Sequence, residues 1–295
     1  MSTDSQDTHF SLELPASGVV LGPGLRASEP RHLAVHRDRL IARQDQGKYW
    51  WELRHCDYYD LFAKPKVVFQ EMAWFNRFAV DSSGGVLNNT AYVLPESRSM
   101  LRAVLNSPLA WWYMTRTAQH GKDEVLRLIG TYMETFPMPA PGTEDCFDEP
   151  VRKVTGVMGD RIAWEQAALT KLSSLVDLGD EASKVLGWLR RPEEDFLRLV
   201  GKASGRQLSS GATAELAAFR HQASDELGHF LTEQLALEKQ LATLVEDAYG
   251  LTPEERQLLR ATRPVRDPID VLEARVAGLD TAVSAQPEEA DDQPA

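Results

Sequence analysis

Several features are scarce in this sequence of 295 residues. It has two cysteines, Cys56 and Cys146, which stand far apart and form no C-x-x-C spacing. This usage argues against a zinc ribbon or a disulfide framework and is typical of a reducing compartment. No apolar run approaches the roughly 20 residues that cross a bilayer, and the acidic start MSTDSQDTHFSLEL lacks the basic n-region of a secretory signal. We therefore predict a cytoplasmic protein with no membrane partner.

Motifs for catalysis are also missing. The sequence contains no Walker A motif, no G-x-S-x-G and no H-E-x-x-H, and the stretch GVVLGPG (18–24) lacks the G-x-G-x-x-G spacing of a dinucleotide loop. His32 and His36 stand four positions apart, but no third metal ligand is nearby, so a solvated helix face explains them better. The sequence predicts no catalytic residue, no cofactor-binding residue and no metal ligand in this chain.

The charge is negative overall but unevenly distributed. The formal net charge is −12, yet residues 26–137 hold 15 Lys and Arg against 12 Asp and Glu. Residues 138–295 hold 17 against 29, so the acidity belongs mostly to the second half. A mildly basic first half permits contact with phosphate without requiring it.

The composition and the apolar patterning of the sequence predict four regions. Residues 1–28 are polar and loop-like, and residues 29–140 form a compact domain that holds 16 of the 24 aromatic residues. Four prolines and a glycine in PMPAPGTEDCFDEP (137–150) mark a boundary. Residues 150–283 form a helical domain, and residues 284–295 form a disordered acidic tail.

The middle region predicts an α+β fold with a small antiparallel or mixed sheet and packed helices. HLAVHRDRLIARQ has a helical pattern, KVVFQEM has that of a buried strand, and RFAVDSSGGVLNNTAYVL has that of a hairpin. In SRSMLRAVLNSPLAWWYMTRTA, Ser107 before Pro108 is a candidate N-cap between two helices.

The C-terminal region predicts one long amphipathic helix followed by two short ones. Apolar residues recur at spacings of three and four from Ala214 to Ala248. Gly250 is a candidate C-cap, Thr252 opens a capping box, and Asp267 before Pro268 starts another helix.

Polar residues of the middle region suggest a binding surface for an anionic polymer. The lysines around Pro65 are placed to reach phosphates, and several amides are able to contact base edges, adenine especially. Each residue also has a simpler explanation, since a lysine can merely solubilise and an Asn pair can merely serve a turn. Trp50, Trp51, Trp111 and Trp112 are better explained as core than as stacking platforms. The candidates are Lys64, Lys66, Gln70, Asn76, Arg77, Asn88, Asn89, Arg116 and Lys122, with Arg54 as a further cation.

Five short segments follow one another along the middle region: Trp51–Arg54, Pro65–Val67, Asn88–Tyr92, Leu105–Ser107 and Phe136–Pro139. In this order they resemble the TaqI-like C-terminal specificity domain of adenine-N6 DNA methyltransferases and fused restriction-modification enzymes, including the large methylases of phage-exclusion systems of the BREX type. A sixth segment, LVEDAYGLTPEE (244–255), resembles one near the end of many such enzymes.

The resemblance implies a target-recognition domain that binds double-stranded DNA and works with a methyltransferase catalytic domain or subunit. In that family the S-adenosylmethionine site and an N-P-P-[YF] motif lie on the catalytic domain, and this sequence contains neither. We therefore expect the recognition half of a methyltransferase, as a split subunit, a truncated gene product or a fragment, with S-adenosylmethionine on the missing half.

One alternative stays open. The long helix at 214–248 could pair with a partner helix, which would make the chain a protein-interaction adaptor without a nucleic-acid role.

Overall fold

The computed structural model describes residues 31–44, 46–52, 59–87, 90–140, 142 and 144–278. The chain divides into two compact units. Within the described residues, the larger unit holds 70–78 and 98–278, and the smaller unit holds the residues from 31 to 69 together with 79–97. The predicted N-terminal segment (1–28) and acidic tail (284–295) lie outside the described residues.

Helices dominate the described chain, and the strands are short. The helices are α1 Arg31–Ala34, α2 Arg37–Ile41, α3 Tyr59–Phe62, α4 Ser99–Leu105, α5 Pro108–Thr117, α6 Gly130–Glu134, α7 Asp148–Leu175, α8 Ala182–Gly187, α9 Glu193–Ser204, α10 Ser210–Ala248, α11 Pro253–Ala261 and α12 Pro268–Val276. The strands are β1 Lys66–Gln70, β2 Met72–Ala73, β3 Ala79–Asp81, β4 Ala91–Leu94, β5 Gln119–His120 and β6 Leu126–Arg127. Short 3₁₀ turns occur at Lys122–Glu124, Glu144–Phe147 and Gly179–Glu181. The prediction of an α+β fold with a long C-terminal helix is confirmed.

The predicted buried strand is confirmed as β1, the middle strand of a three-stranded sheet with the order β3-β1-β4. β1 pairs antiparallel with β3, with Val67 opposite Val80. Val67, Val68 and Phe69 are all buried. A strand buried on both faces shows no polar alternation, which explains its continuous apolar run.

The predicted hairpin is wrong. β3 and β4 both form, but β1 lies between them, so they are not paired with each other. Their connection, residues 82–90, is longer than the roughly two to five residues of a hairpin loop. The SSGG stretch therefore begins a connection between the two outer strands of this sheet rather than a tight turn.

The predicted helix over HLAVHRDRLIARQ is two short helices, α1 and α2, interrupted at Val35 and His36. Leu40 and Ile41 are not buried there, and Val35 is 81% exposed. An apolar pattern without a surface to cover it does not hold a continuous helix of this length.

In the larger unit, Ser107 is the predicted N-cap: its hydroxyl accepts a hydrogen bond from Ala110 N at 3.1 Å, with Pro108 at the first helical position of α5. A second small sheet, β2-β6-β5, was not predicted. Its strands have two residues each, which is too short to produce a periodic signal.

The long helices α7 and α10 pack against each other and carry two apolar clusters. One cluster joins Leu172 to Leu216 and Phe219, and the other joins Val151 and Val154 to Leu241 and Val245. The apolar stripe predicted for α10 is therefore covered by helices of the same chain.

Polar residues occupy the middle of both helices. On α7, Arg161 and Glu165 lie between the residues of the two clusters, and their side chains form a buried ion pair at 3.4 Å. On α10, Glu238 lies between the buried residues Leu231 and Leu241. Burial raises the pKa of Glu238 to about 7, although a hydrogen bond with Gln234 lowers it in part.

The predicted helix ends after α10 are also confirmed. Gly250 has φ +66°, the left-handed conformation of a C-cap glycine. Thr252 and Glu255 form the reciprocal capping box of α11. The Asp267 carboxylate accepts hydrogen bonds from Ile269 N and Asp270 N at the start of α12.

Candidate nucleic-acid interface

The two lysines that flank Pro65 have opposite environments. Lys64 is exposed, whereas Lys66 is fully buried. The Lys66 ammonium donates to the Phe62 carbonyl at 2.8 Å and forms an ion pair with the carboxylate of Asp81. Moving this ammonium to a phosphate would leave Asp81 as an uncompensated buried charge, which is costly. In this conformation Lys64 alone of the pair is presented to solvent.

Asp81 also organises the loop that follows β3. Its carboxylate accepts hydrogen bonds from Ser83 N at 2.8 Å and from Ser83 Oγ at 2.6 Å. Burial raises the pKa of Asp81, but the hydrogen bonds from Lys66 and Ser83 outweigh it, and the net effect is a lowered pKa. The start of the 82–90 connection is therefore fixed by an ionised, buried carboxylate. The predicted residues Asn88, Asn89 and Arg54 lie outside the described residues.

Asn76 is a buried structural amide. Its Nδ2 donates to the carbonyls of Leu105 and Ser107 at 3.1 and 3.0 Å. The neighbouring Asn106 side chain completes the connection by accepting from Phe78 N and donating to Phe78 O, both at 3.0 Å. These bonds attach residues 76–78 to the junction between α4 and α5. The amide of Asn76 is thus already engaged inside the larger unit.

Gln70 and Arg77 are both exposed. Gln70 is the last residue of β1. The Arg77 guanidinium lies 4.7 Å from the centroid of the Phe75 ring, a cation–π contact that restricts its orientation. Either side chain is accessible to a ligand.

Arg116 and Lys122 are exposed and lie on either side of β5. The Arg116 guanidinium stacks on the Trp112 ring, with Cζ 3.9 Å from the ring centroid. Its Nη2 donates to the Thr262 carbonyl at 2.9 Å. His120 Nε2 donates to the Thr115 carbonyl at 2.7 Å, which joins the end of α5 to β5. Lys122 opens a turn in which Asp123 and Glu124 have left-handed backbone angles.

The structure adds a group of cations that was not predicted from the sequence. Residues 260–266, here called the arginine segment, join the end of α11 to the start of α12 and carry Arg260, Arg263 and Arg266. The carbonyl of Thr262 in this segment accepts the hydrogen bond from Arg116. The spacing of the arginines at three residues was visible in the sequence, but nothing there placed them beside α5.

Two of the motifs from separate parts of the chain also meet. The hydroxyl of Tyr249 donates to the carbonyl of Pro137 at 2.6 Å. Pro137 belongs to the turn that closes the middle region, and Tyr249 belongs to LVEDAYGLTPEE. Burial raises the pKa of Tyr249 to about 12. These two motifs, whose bonded residues stand 112 positions apart in the sequence, are therefore in contact within the larger unit.

Comparison with known protein families finds a match over part of the chain. Residues 29–138 match the family model of the TaqI-like C-terminal specificity domain. The match indicates a DNA-recognition region of the kind that serves DNA methyltransferases, and residues 29–138 are called the TaqI-like region below. It contains all nine predicted contact residues, while the arginine segment lies outside it. No curated protein and no solved structure matches the chain.

The described part of the chain offers neither a metal-binding cluster nor a membrane-spanning helix. No group of three or more His, Cys, Asp or Glu side chains is arranged there to bind a metal ion. No helix among the same residues has the length and apolarity needed to span a membrane.

Proposed function

We propose that this chain supplies DNA target recognition to an adenine-N6 methyltransferase or restriction-modification enzyme. The match of residues 29–138 to a specificity domain carries the proposal. Methyl transfer would be performed by a catalytic domain that contributes the S-adenosylmethionine site and the N-P-P-[YF] motif, whether on a partner subunit or on a linked polypeptide. Such a module would act on DNA in the cytoplasm, and methylases of BREX-type phage exclusion are the finer assignment that we favour.

The exposed cations provide the phosphate contacts in this proposal. Lys64, Arg116 and Lys122 are all accessible, and ammonium or guanidinium groups position a protein on a duplex by contacting its backbone. Arg77 is a further candidate. The buried Lys66 and Asn76 would act indirectly, by fixing the elements that carry the exposed residues.

Base reading is assigned to exposed amides. Gln70 is accessible at the end of β1, and an amide side chain can make a bidentate contact with adenine in the major groove. Asn88 and Asn89 remain proposed contacts on the same chemical ground.

The net charge of −12 predicts weak binding by the chain alone. So few cations neutralise few phosphates, and the release of counterions therefore contributes little to the affinity. The acidic second half also repels the duplex. We expect the catalytic partner to raise the affinity, with the C-terminal helices as its docking region.

The experiment is a fluorescence anisotropy titration of a labelled duplex at low salt, with and without a methyltransferase polypeptide that carries the N-P-P-[YF] motif. The double variant Lys64→Gln/Lys122→Gln should weaken binding uniformly across sequences and lower the salt slope by about two. Lys202→Gln is the matched control, because Lys202 is an exposed lysine on α9, outside the TaqI-like region. Absence of duplex binding in both settings would contradict the proposal.

A protein-interaction adaptor is the alternative function. It needs an apolar face of α10 that is available to a partner, but Leu216, Phe219, Leu227 and Leu241 are already buried within the chain. No observation on α10 therefore favours the adaptor.

A further inference from the structure

The arginine segment is held onto the TaqI-like region by specific polar contacts. Trp111 Nε1 donates to the Val265 carbonyl at 3.1 Å, and Trp112 Nε1 donates to Thr262 Oγ1 at 2.8 Å. Arg116 donates to the Thr262 carbonyl at 2.9 Å. Three side chains of α5 thus donate hydrogen bonds that fix residues 262–265, which stand about 150 positions away in the sequence.

Arg266 reaches the turn that carries Lys122. Its Nη1 donates to the Asp123 carbonyl at 3.3 Å. Because Arg116 contacts the same segment at Thr262, the cations of α5, of the turn and of the segment belong to one continuous surface of the larger unit.

The cations of this surface differ in whether a carboxylate pairs with them. Arg116, Lys122 and Arg266 have no ion pair with a carboxylate within the described residues, although Asp123 and Glu124 are close by. Glu124 is engaged by His120 at 3.2 Å. Arg263 is paired with Asp270, and Arg260 lies 3.8 Å from Glu246 with a side chain that is 58% exposed.

The backbone of this surface is strained in an unusual way. The non-glycine residues with positive φ in the described part of the chain are Asp123, Glu124 and Arg266, at 59°, 60° and 64°. Asp123 and Arg266 contact each other directly. Left-handed backbone at non-glycine residues is disfavoured, and it concentrates at binding and catalytic sites. Glycine would fit position 266 with less strain, whereas the arginine there places its guanidinium against the Asp123 carbonyl.

We propose that the arginine segment, chiefly through Arg266 and Arg260, binds DNA backbone phosphates next to those contacted by Arg116 and Lys122. This proposal rests on the proposed function and extends its interface beyond residues 29–138. The segment would position the duplex without reading its sequence, because guanidinium–phosphate contacts carry no base information. It would also offset part of the repulsion from the acidic second half.

Arg266→Gly is the informative variant, because it removes the cation and relieves the left-handed strain, which offsets the loss of the hydrogen bond to Asp123. We expect its melting temperature to be unchanged or higher, while its affinity for a mixed-sequence duplex of about 30 base pairs falls about threefold to tenfold at about 50 mM salt. The slope of log K against log salt should fall by about one for Arg266→Gly and again for Arg260→Gln. Arg266→Lys keeps the charge and should retain most of the affinity.

Arg198→Gln is the matched control, since Arg198 is an exposed arginine on α9 that pairs with Asp195. Its salt slope should equal that of the wild type. An equal loss in the control and in Arg266→Gly would assign the effect to net charge and overturn the proposal. Wild-type affinity of Arg266→Gly for the duplex would overturn it too. The same holds if the variant loses its binding to the methyltransferase polypeptide while its binding to the duplex stays intact. Failure of the wild-type chain to bind any duplex, alone or with that polypeptide, would instead overturn the proposed function itself.

Discussion

The ammonium of Lys66 and the carboxylate of Asp81 form an ion pair in which neither residue is more than 3% exposed. Lys66 begins the central strand β1, and Asp81 ends its neighbour β3, opposite it in the antiparallel register. The pair fixes the end of the sheet from which the 82–90 connection starts.

Removing one partner of this pair should destabilise the protein strongly. Lys66→Met leaves the Asp81 charge buried without compensation, and we expect the free energy of unfolding to fall by about 3–5 kcal/mol. Adding Asp81→Asn should recover most of that loss, because the amide oxygen still accepts from Ser83. Urea unfolding followed by circular dichroism measures both. A single variant as stable as the wild type would show that the pair contributes nothing.

The same pair should make the protein acid-labile. The pKa of Asp81 is lowered from its ordinary 3.8, so the folded state binds fewer protons than the unfolded chain at acidic pH. Its contribution is present above about pH 4 and is lost as the pH falls through the lower pKa of the folded state. In calorimetry, the melting temperature of the wild type should drop more steeply below pH 4 than that of Lys66→Met/Asp81→Asn. Parallel curves would contradict this assignment.

Glu238 should have the opposite pH dependence. Its pKa is raised from 4.5 to about 7, so the folded state holds a proton that the unfolded chain has released between these values. Stability therefore declines as the pH rises from 4.5 to about 7 and stays reduced above it.

Replacing Glu238 with Gln removes the charge that burial disfavours. Allowing for its partial exposure, we expect Glu238→Gln to raise stability by about 1–2 kcal/mol at pH 8 and to change little at pH 4. Glu233→Gln, at an exposed position on the same helix, serves as the control. Thermal melts of both variants at the two pH values test this, and equal gains at pH 4 and pH 8 would rule out a titration effect.

The contact between Tyr249 and Pro137 should be measurable on its own. Tyr249→Phe removes the hydroxyl that donates to the Pro137 carbonyl and should cost about 1 kcal/mol of unfolding free energy. Tyr132→Phe, which removes a hydroxyl from a partly buried ring on α6, should be close to neutral. In an ultraviolet titration, Tyr249 should ionise with a pKa of about 12, and the Phe variant should lack that late phase.

Local signals in the sequence were sufficient for the helices that begin at a cap or carry a long apolar stripe. Ser107 before Pro108, the Thr252 capping box and the apolar spacing of α10 each depend on residues within a few turns of one another, and each is confirmed. β1 was predictable for the same reason, since burial on both faces produces an uninterrupted apolar run.

Features that depend on distant residues were not predictable. The order β3-β1-β4 depends on a strand that comes earlier in the chain than both supposed hairpin arms. Lys66 looked available to a phosphate because its counter-charge, Asp81, stands 15 positions away. The arginine segment lies beside α5 only through contacts such as Trp112 to Thr262, which join residues about 150 positions apart. No periodicity carries information of that kind.

The packing of α4 has a practical consequence for anyone who expresses this protein. Met100, Ala103 and Val104 of α4 are buried in one cluster with Val151 and Val154 of α7 and Leu241 and Val245 of α10. An expression boundary placed at residue 138, where the family match ends, would remove α7 and α10 and leave the apolar face of α4 exposed to solvent. A peptide cut there should aggregate or be degraded. The end of a family match is thus not a point at which this polypeptide can be divided.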